Sequence, residues 1–181
     1  SSLAHIYRLM GENYMRLNKP ACARSYFEKA IKRISDIQNR TRDDNLEMIL
    51  CLYGLGESHS LTGSEKQAKS CYQMALLKMQ DCTVEKNQLN KDKIDSEKVS
   101  MRFPEAAASI RKAGLFFERQ RDPERAIQFY REALNQLNAF PANSDHPDSL
   151  ENVLESDMGR IFYGSGDLET ALGLSLIHIS A

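Results

Sequence analysis

Four glycines begin the same residue pattern at four places in the chain, and this repetition constrains the fold more than any other feature. The glycines are Gly11, Gly56, Gly114 and Gly159. The residue twelve positions after each glycine is an alanine: Ala23, Ala68, Ala126 and Ala171. Three units have an aromatic residue four positions after that alanine, namely Phe27, Tyr72 and Tyr130, whereas the fourth has Ser175. A pattern that recurs in this way predicts one supersecondary unit repeated along the chain.

Each unit is predicted to be a pair of helices. Between residues 107 and 137, apolar residues recur at helical spacing on both sides of a short polar turn at 119–123. A glycine inside a helix costs about 1 kcal/mol relative to alanine, so four equivalent glycines need a packing reason. We expect each glycine to face the alanine of the second helix, and the aromatic residue to fill the joint with the neighbouring hairpin.

The pattern divides the chain into helical units separated by polar segments. Complete units are predicted at residues 4–37, 46–82 and 104–140, and a partial unit at 150–174. Residues 83–103 are charged and are interpreted as a linker or as an extension of the preceding helix. Residues 175–181 leave the pattern, which favours a non-native tail over a divergent last repeat. The first residues are not Met and enter a helical pattern at once, so we expect a fragment of a longer protein.

These units resemble tetratricopeptide repeats, in which a large residue, a Leu-Gly-like pair and an aromatic residue precede an alanine, an aromatic residue and a second alanine. The second alanine is present as Ala30, Ala75 and Ala133, and His178 replaces it in the fourth unit. The resemblance implies an all-α fold, specifically a right-handed superhelical solenoid of antiparallel helix hairpins. The glycines depart from the family in spacing, because they are 45, 58 and 45 residues apart rather than about 34.

Composition limits the classes of function. Charged residues make up 27% and hydrophobic residues 41% of the chain, as in an ordinary soluble domain. A net charge of −1 argues against nucleic-acid binding, and no apolar run predicts membrane insertion. The cysteines have no zinc-site spacing, so we expect small buried or half-buried residues in a reducing, cytoplasmic location. They are Cys22, Cys51, Cys71 and Cys82.

No residue set predicts catalysis. The four histidines are scattered, and His59 occupies an aromatic position of the repeat, where a packing role is expected. There is no glycine-rich phosphate loop, nucleophile elbow or His-Glu-x-x-His motif. We therefore expect no enzyme activity, no catalytic residues, no cofactor and no metal site.

A protein or peptide partner is the expected ligand. The resemblance implies that the first helices line a concave face that binds a peptide or partner segment. The residues that it places there are Arg8, Glu12, Arg16, Tyr53, Glu57, Arg111, Leu115, Glu118, Arg160 and Tyr163. Arginines with tyrosines favour a ligand with acidic and apolar residues. The alternative is a structural spacer or self-association segment of a larger protein, and the sequence does not predict an oligomeric state.

Overall fold

The structure, a computed structural model, describes residues 2–89, 106–137, 150–167 and 170, with the side chains of 2 and 82–89 left out. Every regular element in these ranges is an α-helix, so the predicted all-α fold is confirmed. The helices are α1 (Ser2–Arg16), α2 (Pro20–Ser35), α3 (Arg42–Leu61), α4 (Glu65–Leu89), α5 (Ala107–Arg119), α6 (Pro123–Leu137) and α7 (Leu150–Ser165).

The helices belong to two compact units, Ser1–Met101 and Arg102–Ala181. In the first unit, α1 packs against α2 and α3 packs against α4, which forms two consecutive hairpins, and α2 joins them by packing against α3. In the second unit, α5 and α6 form a hairpin, and α7 packs against α6. The contact between a second helix and the next first helix is called a joint below. The described residues contain two joints, α2–α3 and α6–α7.

The hairpin turns have the same conformation in every unit. The residue seven positions after each pattern glycine has a positive φ: 54° at Asn18, 75° at Gly63, 58° at Arg121 and 82° at Gly166. The next amide then donates to the carbonyl five residues back, as from Ser64 to His59 at 2.8 Å and from Asp122 to Phe117 at 3.0 Å. This arrangement satisfies carbonyls at the end of the first helix. Glycine takes this left-handed conformation without strain, as at Gly63 and Gly166.

The helix starts follow local signals in the sequence. Pro20 and Pro123 are the first residues of α2 and α6, where a missing N–H costs nothing. Helix α3 begins at Arg42, ahead of the predicted start, because the Thr41 side chain accepts from the Asp44 N–H and the Asp44 carboxylate accepts from the Thr41 N–H. Thr41 is therefore the N-cap of α3.

Three sequence predictions concern segments at the edge of the description. Helix α4 continues to Leu89, so residues 83–89 extend the preceding helix, which was one of the two interpretations of 83–103. Residues 90–103 lie outside the described residues. The tail at 175–181 lies outside them as well, and so does the partner helix expected for α7, apart from Thr170.

Three of the four pattern glycines contact aromatic residues rather than alanines, whereas a Cβ added at Gly159 would meet no described atom within 4 Å. A Cβ added at Gly11 would lie 2.7 Å from the Phe27 ring, and a Cβ at Gly56 would lie 2.6 Å from the Tyr72 ring. Gly114 is covered by Tyr130 in the same way. The prediction that glycine faces alanine was therefore wrong. At these three glycines the contacting residue is the aromatic one sixteen positions later, not the alanine twelve positions later.

The alanines lie in the joint instead. Ala23 and Ala30 flank Phe27 and share one buried cluster with Cys51 and Leu55 of α3. Small side chains here let α2 approach α3 closely. Phe27 also reaches across the joint, since a Cβ at Gly54 of α3 would lie 2.5 Å from its ring. The expectation that this aromatic fills a joint is confirmed for Phe27.

Two of the described cysteines are buried, as the sequence predicts, and one is not. Cys51 and Cys71 are buried free thiols, and burial raises the pKa of Cys71 to about 11. Cys22 is exposed, which departs from the prediction. The side chain of Cys82 lies outside the description.

Candidate binding surface

In the first unit, the proposed surface carries a charge network that links α1 to α3. Arg8 is half-buried, and its Nε donates to Oε2 of Glu47 at 2.7 Å. Arg8 also forms an ion pair with Glu12, one turn later on α1. The ring of His5 lies 2.7 Å from the other carboxylate oxygen of Glu47. Arg8 and Glu12 therefore form contacts within the protein.

The pKa values of this pair follow from burial and hydrogen bonding. Burial disfavours the ionised form of Glu47, but hydrogen bonds from Arg8 and His5 outweigh it and lower the carboxyl pKa. Burial also opposes the charge on Arg8, yet the bond to Glu47 leaves its pKa above the ordinary value. Both groups are thus ionised at neutral pH, and each offsets the charge of the other.

In the second unit, a larger network links α5 and α7. Nε of Arg111 donates to Oδ2 of the buried Asp157 at 2.7 Å. Arg160 donates two hydrogen bonds to Glu118, each of 2.9 Å, and a third to Asp157 at 3.1 Å. The Tyr130 hydroxyl donates to the same Glu118 at 3.0 Å. Such two-pronged arginine–carboxylate bonds fix the orientation of both groups.

The titration of this network agrees with its geometry. Hydrogen bonds from Arg160 and Tyr130 lower the pKa of Glu118 despite partial burial. Burial and the Glu118 carboxylate raise the pKa of Tyr130, because both disfavour a phenolate. The bond to Glu118 raises the pKa of Arg160. Glu118 and Arg160 therefore stay ionised, and Tyr130 stays neutral, throughout the neutral range.

Arg8 and Arg111 hold the same place in the repeat, three positions before the glycine. Each reaches the next first helix in its unit and bonds to a carboxylate there. The structure thus brings Arg8 together with Glu12 in one unit, and Arg111 together with Glu118 and Arg160 in the other. Their carboxylate partners, Glu47 and Asp157, were missed from the sequence. The only sequence signal for such a partner is an acidic residue on the next first helix, about forty residues downstream of the arginine.

The other residues expected on this surface differ in exposure. Tyr53 is only 2% exposed, and its ring packs 6.2 Å from that of Tyr72, so it offers no surface to a ligand and its placement there was wrong. Arg16 is exposed and Glu57 is half-buried. Leu115 is half-buried on α5, whereas Tyr163 on α7 is 70% exposed. Tyr163 is the most open aromatic side chain among the described residues.

Two kinds of feature are absent from the described part of the chain. Among the described residues, no group of three or more His, Cys, Asp or Glu side chains is arranged to hold a metal ion. No described helix combines the length and apolar character that a bilayer crossing requires.

Comparison with solved structures shows the fold. The crystal structure of BtubC (BKLC) from P. vanneervenii superposes with a TM-score of 0.65 at 16% identity, over 99% of this chain and 62% of that chain. The chain thus spans less than two thirds of the BtubC length. The alignment with the MamA RS-1 ArsTM double mutant spans 99% of this chain and 94% of the MamA chain. Its TM-score of 0.33, at 13% identity, does not establish a common fold. No family profile and no curated protein matches the sequence.

Proposed function

We propose that this chain is a tetratricopeptide-repeat segment that binds a protein or peptide partner on the surface of its first helices, and that it is not an enzyme. The recurring turn and the recurring glycine–aromatic contact support a repeat built to stack. A cytoplasmic location is part of the same proposal. The observation that carries the binding role is Tyr163, which is 70% exposed one turn from Arg160.

The charge networks argue against a ligand that binds chiefly through acidic residues. Arg8, Arg111 and Arg160 already bond to carboxylates of the chain, so an acidic ligand must compete with Glu47, Asp157 or Glu118. Exchange of one carboxylate for another brings little net gain. We therefore propose a ligand that binds chiefly through an apolar or aromatic side chain packed on Tyr163 and Leu115. Charged groups on the ligand would fix its orientation.

A displayed library of random peptides tests this function directly. Peptides selected on the chain should lose about tenfold or more in affinity on Tyr163→Ser, since aromatic anchors dominate such interfaces. Leu61→Ser is the matched control, because Leu61 is also exposed, at 56%, but lies at the end of α3. Circular dichroism of each variant shows that the helices persist. Binding that ignores Tyr163, or that disappears when 83–100 is replaced by a neutral linker, would rule out this surface.

A structural spacer is the second candidate, and the internal ion pairs favour it. Arginines that each bridge two first helices stabilise the stack whether or not a partner binds. A spacer selects no peptide from the library above the background of an unrelated helical protein. The same experiment therefore separates the two functions.

A further inference from the structure

Helix α1 exposes an apolar stripe. Leu3, Ile6 and Met10 are 37%, 50% and 36% exposed. Their spacing of three and four residues places them on one side of the helix, with Asn13 continuing the line. The two ends of a repeat array ordinarily present polar outer faces. An apolar stripe at this place therefore calls for an explanation.

The same repeat positions are buried in the other first helices. Counted from the pattern glycine, the stripe corresponds to Met48, Cys51 and Leu55 of α3, none of which is more than 8% exposed. In α7, the positions of Ile6 and Met10 are Leu154 and Met158, and both are buried. The stripe thus has the composition of a joint face.

A second helix covers these positions in α3. Cys51 and Leu55 lie in the cluster formed by Ala23, Phe27 and Ala30 of α2. One turn further, the hydroxyl of Ser58 donates to the carbonyl of Pro20, at the start of α2. Asn13 holds the position of Ser58 in α1, and its amide can donate to a carbonyl in the same way.

We propose that α1 is covered by the second helix of a further hairpin, supplied by the same polypeptide upstream of Ser1. The covering helix presents small residues to the stripe, as Ala23 and Ala30 do in α2. Its first carbonyl accepts from Asn13. This inference does not depend on peptide binding by the first-helix surface.

One position specifies the covering helix further. Two positions before the pattern glycine, α3 has Gly54, which leaves room for the Phe27 ring. The residue at this place in α1 is Leu9, which is exposed. A leucine there occupies the space that the ring takes in the α2–α3 joint. The covering helix therefore has a small residue, not an aromatic one, opposite Leu9.

A hairpin fused upstream tests the proposal on the whole chain. A second copy of residues 2–46, placed directly before Ser2, keeps the 45-residue spacing between glycines found in the first unit. In that copy, Leu3→Gln and Ile6→Gln give a polar outer face and peptides of distinct mass. The copy has either Phe27 or Phe27→Ala, and the original α1 has either Leu9 or Leu9→Gly. Hydrogen exchange of the original α1 is measured in all four chains.

The matched combinations should protect α1. The copy with Phe27→Ala on unaltered Leu9, and the copy with Phe27 on Leu9→Gly, should each slow α1 exchange about tenfold or more relative to the unfused chain. The copy with Phe27 on unaltered Leu9 should protect less, because ring and leucine compete for one space. Ile6→Glu in the original α1 should remove the protection.

Two results would overturn the proposal. The first is that hydrogen exchange of α1 is not slowed in the matched chains, or is slowed equally in all four chains. In either case α1 would not select a second helix by shape. The second is a dimer of the unfused chain in light scattering that Ile6→Glu dissociates, since a second copy of the chain would then be the occupant.

Discussion

The α2–α3 joint and the α6–α7 joint have the same arrangement of helices but differ at one equivalent position of the first helix that follows. In both, an aromatic residue sixteen positions after a glycine lies over that glycine. In the first unit this residue is Phe27, and the facing position on the next first helix is Gly54. In the second unit the aromatic residue is Tyr130, and the position equivalent to Gly54 is Asp157. The first joint thus packs a ring against glycine, whereas the second has at that position a carboxylate that bonds to Arg111 of α5 and to Arg160.

The arginine three positions before the pattern glycine has a different partner in each unit, because the next first helix has Gly54 in one and Asp157 in the other. Arg111 bonds to Asp157, whereas Arg8, at the same repeat position, faces a helix that has glycine there. Arg8 instead bonds to Glu47, two turns before Gly54 on the same helix. The two arginines therefore hold the same repeat position, but their carboxylate partners hold different positions on the next first helix. A stacking joint needs a close fit more than a particular polarity.

The largest effect is expected when Gly54 is replaced by aspartate, the residue at the equivalent position of α7. Gly54→Asp puts a Cβ 2.5 Å from the Phe27 ring. It also puts a carboxylate in an apolar joint. Overpacking costs about 1–3 kcal/mol, and the unpaired carboxylate adds to that, so we expect a loss of about 3 kcal/mol or more in urea unfolding.

Gly164→Asp is the control for this change, because Gly164 also lies in a helix but has no atom of the described residues within 4 Å of its added Cβ. Equal stability of the two variants would show that Gly54 is not required for close approach.

A smaller effect is expected when the charge network between α5 and α7 loses its central acid. Asp157→Ala leaves Arg111 without the acceptor of its 2.7 Å bond and takes one acceptor from Arg160. Loss of a bond to a buried charged group costs about 1–3 kcal/mol, measured by urea unfolding. Glu151→Ala, on the same helix, should cost less than half as much. A comparable loss in both variants would mean that the network contributes nothing specific.

The smallest effect is a difference in acid sensitivity. The folded-state pKa of Glu118 is lowered, so its stabilising contribution is present above the ordinary carboxyl pKa of about 4.3 and is lost as pH falls through the folded pKa. Glu118→Gln should therefore reduce the difference in unfolding free energy between pH 7 and pH 4, by less than about 1 kcal/mol for so exposed a pair.

Hydrogen exchange assigns this effect to a unit. Glu118→Gln should change the acid sensitivity of α5–α7, and Glu47→Gln should change that of α1–α3, because the Glu47 pKa is lowered too. An unaltered pH dependence in α5–α7 after Glu118→Gln would show that Glu118 is not coupled to folding.

The helix pairs and their turns could be predicted because their signals are local. Pro20 marks a helix start, and Gly63 marks a left-handed turn. The start of α3 was missed because Thr41 and Asp44 cap it jointly, and neither residue alone identifies the cap. The burial of Tyr53 was missed because residues on one face of a helix differ in how deeply the neighbouring helices cover them.

Sequence alone determined the repeat unit, the helix pair within it and the stripe of residues that each helix buries. Tertiary structure decided that Phe27, not Ala23, lies over Gly11, and that Arg8 and Arg111 bond to Glu47 and Asp157. The physical reason is that helical periodicity fixes which residues share a face, whereas contacts between faces depend on the rotation and crossing of two helices. Ala23 and Phe27 are four residues apart on the same face of α2, so helical periodicity predicts either as the contact of Gly11. The relative positions of α1 and α2 decide that it is Phe27.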